Sequence, residues 1–171
     1  MSIEKLGKYI KQVDRRNSSD GSYRLFGVSI EKKFIESIAN TIGTDMTTYK
    51  IVEKGQFAYG PVTSRNGDKV SIALLSEGEC IISSSYTVFE VIDTQTLLPE
   101  YLMLWFRRPE FDRYARFHSH GSAREIFDWE EICNVELPIP DIKEQHKIVD
   151  SYKSIECRIE LLRQINDNLA A

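Results

Sequence analysis

The spacing of apolar residues along the chain changes in character three times. Near the start, Ile3, Leu6, Ile10 and Val13 recur at intervals of three and four. That period predicts a short helix, with a strand as the competing reading. A polar loop follows over residues 15–21, Arg-Arg-Asn-Ser-Ser-Asp-Gly. From Tyr23 to Ile30 aromatic and β-branched residues cluster, which predicts a strand. The middle of the chain reads as β, with candidate strands at residues 50–52, 56–59, 69–75 and 79–92. Lys54-Gly55, Gly60-Pro61, Arg65-Asn66-Gly67-Asp68 and Glu77-Gly78 separate them. Asn66-Gly67 is a tight-turn signal, because both residue types tolerate positive φ.

The period then becomes helical from Leu98 to Phe117. Pro99 suits a first turn, where a missing N–H costs nothing. Pro109 divides the stretch into two helices: Leu102, Trp105 and Phe106 face inward on the first, and Phe111, Tyr114 and Ala115 on the second. His118 to Ala123 reads as a loop, residues 126–132 as a short helix and residues 134–139 as a last strand. Pro138-Ile139-Pro140 closes this unit.

A helix start follows. Asp141 is placed to cap, with Glu144 three residues on to bond back. No Pro or Gly interrupts the stretch to Leu169, which as a helix spans roughly 43 Å. Ile148, Tyr152, Ile155, Ile159, Leu162, Asn166 and Leu169 alternate at four and three residues. This is the narrow seam of a coiled coil, with Asn166 as a polar register-setter. The competing reading packs the helix back on its own domain; the narrow stripe and the length favour a partner helix. Two regions follow: a mixed unit over residues 1–140 and a helical arm over residues 141–171.

Composition narrows the classes. The chain has 171 residues and is 42% hydrophobic, enough for a core, so disorder is not expected. No apolar run nears a membrane span, and the first residues lack a signal pattern. A soluble cytoplasmic protein is the expectation. Cys80, Cys133 and Cys157 form neither a disulfide framework nor a metal pair, and read as small hydrophobes. A net charge of −4 argues mildly against nucleic acid, although one basic face can outweigh an acidic total. Such a face is available: Arg107, Arg108, Arg113, Arg116 and Arg124 stand against Glu110 and Asp112 alone, with His118 and His120 beside them.

The residues offer no catalytic pattern. Phosphate-loop, dinucleotide and nucleophile-elbow motifs are absent, as are a zincin helix and a methyltransferase tetrapeptide. His118-Ser119-His120 lacks further ligands at metal spacing, so no metal is expected. Glu77, Glu79, Glu130 and Glu131 read as solvated faces. Polar loops remain. Arg pairs with guanine and Asn with adenine in direct readout, which nominates Arg15, Arg16, Asn17, Arg65, Asn66 and Arg124. Ser84, Tyr86 and Ser122 offer hydroxyls, and Arg116, His118 and His120 offer donors to phosphate.

Four segments resemble, in order, specificity subunits of type I restriction-modification systems. They are residues 49–59 (Tyr49 to Tyr59), residues 98–106 (Leu98-Pro99-Glu100-Tyr101-Leu102 with Trp105-Phe106), Gly121-Ser122-Ala123-Arg124 leading to Trp129, and Leu137-Pro138-Ile139-Pro140 running through Glu144-Gln145 to Val149. The resemblance implies an α+β fold: a mixed α/β target recognition domain with a central twisted β-sheet, then a long coiled-coil helix. It implies duplex DNA, methyltransferase subunits and a restriction subunit as partners. It also implies no catalysis and no cofactor in this chain, S-adenosylmethionine belonging to the methyltransferase subunits. The usual member has two recognition domains and two long helices; this chain has one of each. The expectation is therefore a homodimer through antiparallel residue 141–169 helices, reading a gapped palindrome. One rival is an interaction module or inhibitor that binds methyltransferase subunits without reading DNA. A second is a small Mg²⁺-dependent nuclease.

Overall fold

The computed structural model describes residues 3–18, 23–38, 44–64, 66–121 and 124–169. Ten strands and four α-helices follow in order: β1 (Ile3–Lys5), β2 (Ile10–Val13), β3 (Leu25–Val28), β4 (Phe34–Glu36), β5 (Lys50–Glu53), β6 (Phe57–Tyr59), β7 (Ile72–Leu74), β8 (Glu79–Ile82), β9 (Thr87–Val91), α1 (Pro99–Phe106), α2 (Pro109–Phe117), α3 (Trp129–Asn134), β10 (Glu136–Pro138) and α4 (Ile142–Leu169). The α+β class with a long final helix is as expected. The β-structure resolves into two four-stranded sheets, β2-β9-β6-β7 and β4-β3-β8-β5, and a ribbon of β1 with β10.

The first sheet is the middle of three layers, and strand alternation explains why. Phe57, Tyr59, Ile72, Phe89 and Val91 point to one side and pack with Leu102, Phe106, Phe111 and Ile132 of the helices. Phe57 stacks on Phe89 at 4.8 Å between centroids, and Phe106 meets Phe57 edge-on at 5.7 Å. Each such buried ring contributes about 1.5–3 kcal/mol. The opposite side of the same strands carries Ala58, Ala73 and Val88, which meet Val28, Val52, Cys80 and Ile82 of the second sheet. Small residues there let the sheets approach closely. Burial pushes the Cys80 thiol up to about 11, consistent with a core hydrophobe.

A buried ion pair ties the second sheet to the helices. Lys32, in the β3–β4 turn, has φ of 59° and is only 7% exposed. Its Nζ donates to the Phe106 carbonyl at 2.7 Å and to Asp112 Oδ1 at 2.6 Å. The same Asp112 oxygen accepts the Val70 N–H.

Several sequence expectations need correction. The helix expected over residues 3–13 is instead β1, a 3₁₀ turn (Leu6–Lys8) and β2. Ile3 to Lys5 find strand partners in Glu136 to Pro138, so tertiary pairing overrides a helical period. The single strand expected over residues 79–92 is split by the Ser83–Tyr86 turn, closed by Tyr86 N–H to Ser83 O. The helix expected at residue 126 begins at Trp129, where the Asp128 side chain caps it. Strand β4 went unanticipated. The Pro109 break and the Asp141 cap stand as read, with Glu144 N–H donating to Asp141 Oδ1 at 3.0 Å. The Glu144 carboxylate pairs with Lys147 instead of bonding back.

Gln145 anchors α4. Fully buried, it accepts from Leu98 N–H at 2.8 Å and donates to the Thr96 and Pro140 carbonyls. Val149 is also buried, and Arg107 reaches Glu156 and the Tyr152 ring. Beyond Glu156 the helix stands clear of the domain, every described side chain exposed. Among the described residues no helix is long and apolar enough to cross a membrane.

Candidate nucleic-acid interface

Strand register collects the polar loops at one end of the sheets. Val13 pairs Val88, and Tyr59 pairs both Thr87 and Ile72, so β2, β6, β7 and β9 begin or finish together. In the second sheet Lys50 pairs Ile82. Arg16 bridges to Lys50, whose Nζ donates to the Tyr86 carbonyl across the two sheets. Residues 14–18, 60–64, 66–71 and 83–86 therefore emerge side by side. The stretch from His118 to Asp128 joins them. Thr63 N–H donates to Glu125 O, Phe127 N–H to Pro61 O, and Thr63 Oγ1 to Ser119 Oγ at 3.0 Å. The β3–β4 turn is tied in by Glu31 and Lys69 at 2.8 Å. Gly60 has a local role: a Cβ there would fall 2.7 Å from Ser71 Oγ, so the Ser71 side chain would have to move.

The nominated residues divide into three groups. Arg16, Arg116, His118 and His120 lie at this end, each beside a carboxylate, whereas Arg15 runs away from it along β5 to Glu53, which pairs in register with Glu79 at the opposite end of that strand. Arg15 pairs with Glu53 and Arg116 with Glu125. Arg16 meets Asp14 at 2.8 Å and donates to Thr48 O. His118 Nδ1 lies 3.0 Å from Glu131, and His120 Nε2 lies 3.8 Å from the same group. Tyr114 stacks under His118 at 4.2 Å. Ser84 and Arg124 are exposed, Tyr86 and Asn66 half-buried; the Asn66 amide faces Val62 O and Ser71 Oγ within its own loop. Asn17 is a correction: at 3% exposure its amide is turned inward, donating to Met46 O, where it holds the loop and presents nothing outward. Arg65 and Ser122 fall outside the described residues.

Sequence reasoning passed over Glu131, which it placed on a solvated face. The only available signal was its position three residues after Asp128, in the first turn of a capped helix. It also did not foresee that Asp14, Glu53 and Glu125 would neutralise the arginines. Beside the loop end, a groove of about 830 Å³ runs between the β3–β4 turn, α2 and α4, lined by Lys33, Lys69, Arg107, Arg113, Arg116 and Phe117 among others.

On α4 the seam stays uncovered. Ile155 is 58% exposed and Leu169 80%, with Ile148, Tyr152, Ile159 and Leu162 between 36% and 58%. The helix buries other residues, Gln145 and Val149, against its own domain, and the seam meets that domain at Tyr152, under the Arg107 guanidinium.

Residues 7–171 match the family model described as the type I restriction modification DNA specificity domain. The chain belongs to this family. The specificity subunit of the type I restriction enzyme HindI from Haemophilus influenzae is 25% identical over 146 residues, 84% of this chain and 31% of that protein. The fold is shared with the HsdS subunit from Thermoanaerobacter tengcongensis, with a TM-score of 0.56 at 15% identity. It is shared too with the type I restriction-modification S subunit from M. genitalium, with a TM-score of 0.61 at 12% identity. Each match covers 95% of this chain and, in turn, 39% and 41% of those chains. The chain thus spans less than half the length of these relatives of the specificity family.

Proposed function

We propose that this chain reads one half-site of a bipartite duplex as the specificity subunit of a type I restriction-modification complex. In this reading residues 1–140 are the recognition domain. Residues 141–171 form the arm on which two copies pair and methyltransferase subunits dock, with the restriction subunit joining that assembly. The chain recognises and recruits; the chemistry belongs to its partners. The observation that carries the reading is the convergence of the polar loops at one end of the domain, while α4 leaves beside α1 with an uncovered seam.

Helix geometry supports the pairing. At 100° per residue, Gln145, Val149 and Glu156 lie roughly 90° around α4 from the seam. An antiparallel two-fold pair through that seam carries both domains on the same side, where one duplex can meet both loop ends. A parallel pair would carry them on opposite sides. Two copies would also supply the two domains and two helices of a usual family member, and the two-fold would make the target a gapped palindrome.

Selection of duplexes from a random library by the chain with its methyltransferase subunits tests this. The expected outcome is one two-fold symmetric, gapped sequence, bound with a salt slope of about −0.9 per phosphate contact. A strict monomer at micromolar concentration, with or without those subunits, would refute the pairing. A second reading is an interaction module that binds methyltransferase subunits without reading DNA. The internal pairing of Arg15, Arg16 and Arg116 favours it. It predicts no sequence enrichment in the same selection.

A further inference from the structure

We propose that Glu156 fixes the register in which two copies of α4 pair. It meets Arg163 of the second copy while Arg107 of its own domain holds it in place. This deepens the antiparallel pairing proposed above and rests on it.

The seam reads as a heptad in which Tyr152, Ile159 and Asn166 occupy a, and Ile148, Ile155, Leu162 and Leu169 occupy d. Glu156 and Arg163 then fall at e, Arg158 and Ile165 at g. In an antiparallel pair each a residue stands opposite a d residue of the other helix, while e flanks e and g flanks g. Two registers fill the same number of layers. The first sets Tyr152 opposite Leu169, Ile155 opposite Asn166 and Ile159 opposite Leu162. The second sets Ile148 opposite Asn166, Tyr152 opposite Leu162 and Ile155 opposite Ile159. Each places Asn166 against an isoleucine, so the core does not choose between them.

Charge does choose. The first register brings Glu156 beside Arg163 twice, once on each side of the two-fold, and Arg158 beside Ile165. The second brings Glu156 beside Glu156 and Arg158 beside Arg158. Like charges so placed oppose pairing and opposite charges favour it. Arg158 and Arg163 are exposed and make no ion pair among the described residues, so both are available to a second copy.

The domain agrees. Seam exposure is lowest at Ile148 and Tyr152, 36% and 38%, where α4 lies against its own domain. In the first register the second helix ends level with Tyr152. In the second it runs on to the level of Gln145, which Thr96, Leu98 and Pro140 enclose.

An ion pair between two free, long side chains gains little, because both must be fixed. Glu156 is already held: its Oε1 accepts from Arg107 Nη1 at 3.0 Å, and the Arg107 guanidinium lies 5.5 Å from the centre of the Tyr152 ring. A carboxylate has lone pairs for a second guanidinium. Glu156 thus joins its own domain and the second copy in one network.

The test is a charge exchange between two full-length variants, Glu156→Arg and Arg163→Glu, followed by sedimentation, with circular dichroism confirming the fold. Either variant alone must form a pair with two like-charge contacts; the mixed pair has two opposite-charge contacts. Each variant alone is expected to dissociate at least ~10-fold more readily than wild type, and an equimolar mixture to recover to within ~3-fold of it. Should Glu156→Arg disturb the domain by releasing Arg107, Glu156→Gln takes its place. Its mixture with Arg163→Glu is expected to pair at least ~3-fold more tightly than Arg163→Glu alone.

No recovery in the mixture, with the wild-type dimer intact, would overturn the register and leave the pairing standing. So would an Arg163→Glu chain that pairs like wild type while Glu156→Arg prefers a wild-type partner, the outcome of the second register. A wild-type chain that stays monomeric at micromolar concentration would remove the pairing and the register together.

Discussion

The loop end of the domain and the free half of α4 meet solvent in opposite ways. At the loop end about half of the described groups that the sequence offers to a partner are already engaged: Arg16, Arg116, His118 and His120 each face a carboxylate, and Asn17 is buried, while Ser84 and Arg124 stay exposed. On α4 the seam from Ile155 to Leu169 is exposed along its length. The first surface is polar and partly satisfied from within; the second is apolar and unsatisfied. Apolar area is stabilised only by being covered. A neutralised polar face can remain open to water indefinitely. The seam is therefore the surface that gains most from being covered.

That contrast can be broken in several places. The largest effect is expected between the two regions. Lys32→Ala strands Asp112 in the interior and should cost about 3 kcal/mol of domain stability in chemical denaturation, while leaving self-association of the folded protein unchanged. Next, Ile155→Asp with Ile159→Asp should raise the dimer dissociation constant at least ~100-fold, about 2.7 kcal/mol, in sedimentation, with the thermal midpoint of the domain unmoved. A dimer that survives both charges would place the interface elsewhere. Arg124→Ala should cost about 1–3 kcal/mol of cognate binding if the side chain reads a guanine. A uniform loss over all sequences would instead make it a phosphate contact.

Smaller effects sharpen the picture. Cys157 is exposed and lies about 180° around α4 from Ile148, so maleimide should label it at the same rate in monomer and dimer. Cys80, buried with a raised pKa, should label only on unfolding; protection of Cys157 in the dimer would move the interface off the seam. The least change is expected with acid. Hydrogen bonds hold the Asp45 and Asp93 carboxyls below their ordinary value of 3.8, and ion pairs hold Glu31 and Glu36 below 4.5. Folded values below unfolded ones give stability that is present above pH 4.5 and lost as pH falls through the folded values. The thermal midpoint should thus stay level from pH 8 to 5 and drop below about 4.

The local parts of this architecture were legible in the residues. Pro99 at a first-turn position, the break at Pro109, the Asp141 cap and the strand at residues 56–59 between its turn residues each depend on neighbours in sequence. Residues 3–13 were not legible, because Ile3 to Lys5 take their conformation from Glu136 to Pro138, more than 130 residues away. The division into two sheets likewise depends on the parallel pairing of β3 with β8. At the interface, composition exposed the polar loops but not their convergence, which strand register sets. Nor could it expose that Arg15 leaves the loop end for Glu53, 38 residues away.

The ribbon of β1 and β10 has a consequence for how such a molecule can change. It sets the start of the mixed unit against the strand that leads directly into α4, with a second attachment to that helix made by Thr96, Leu98 and Arg107. Everything between Lys5 and Glu136 is a single closed excursion of the chain. A different excursion of equal closure could be spliced onto the same two strands, provided it offered Gln145 the N–H and carbonyl that Leu98 and Thr96 now supply. The strand ribbon and the Gln145 contacts are thus the two conditions that any replacement of the excursion would have to meet.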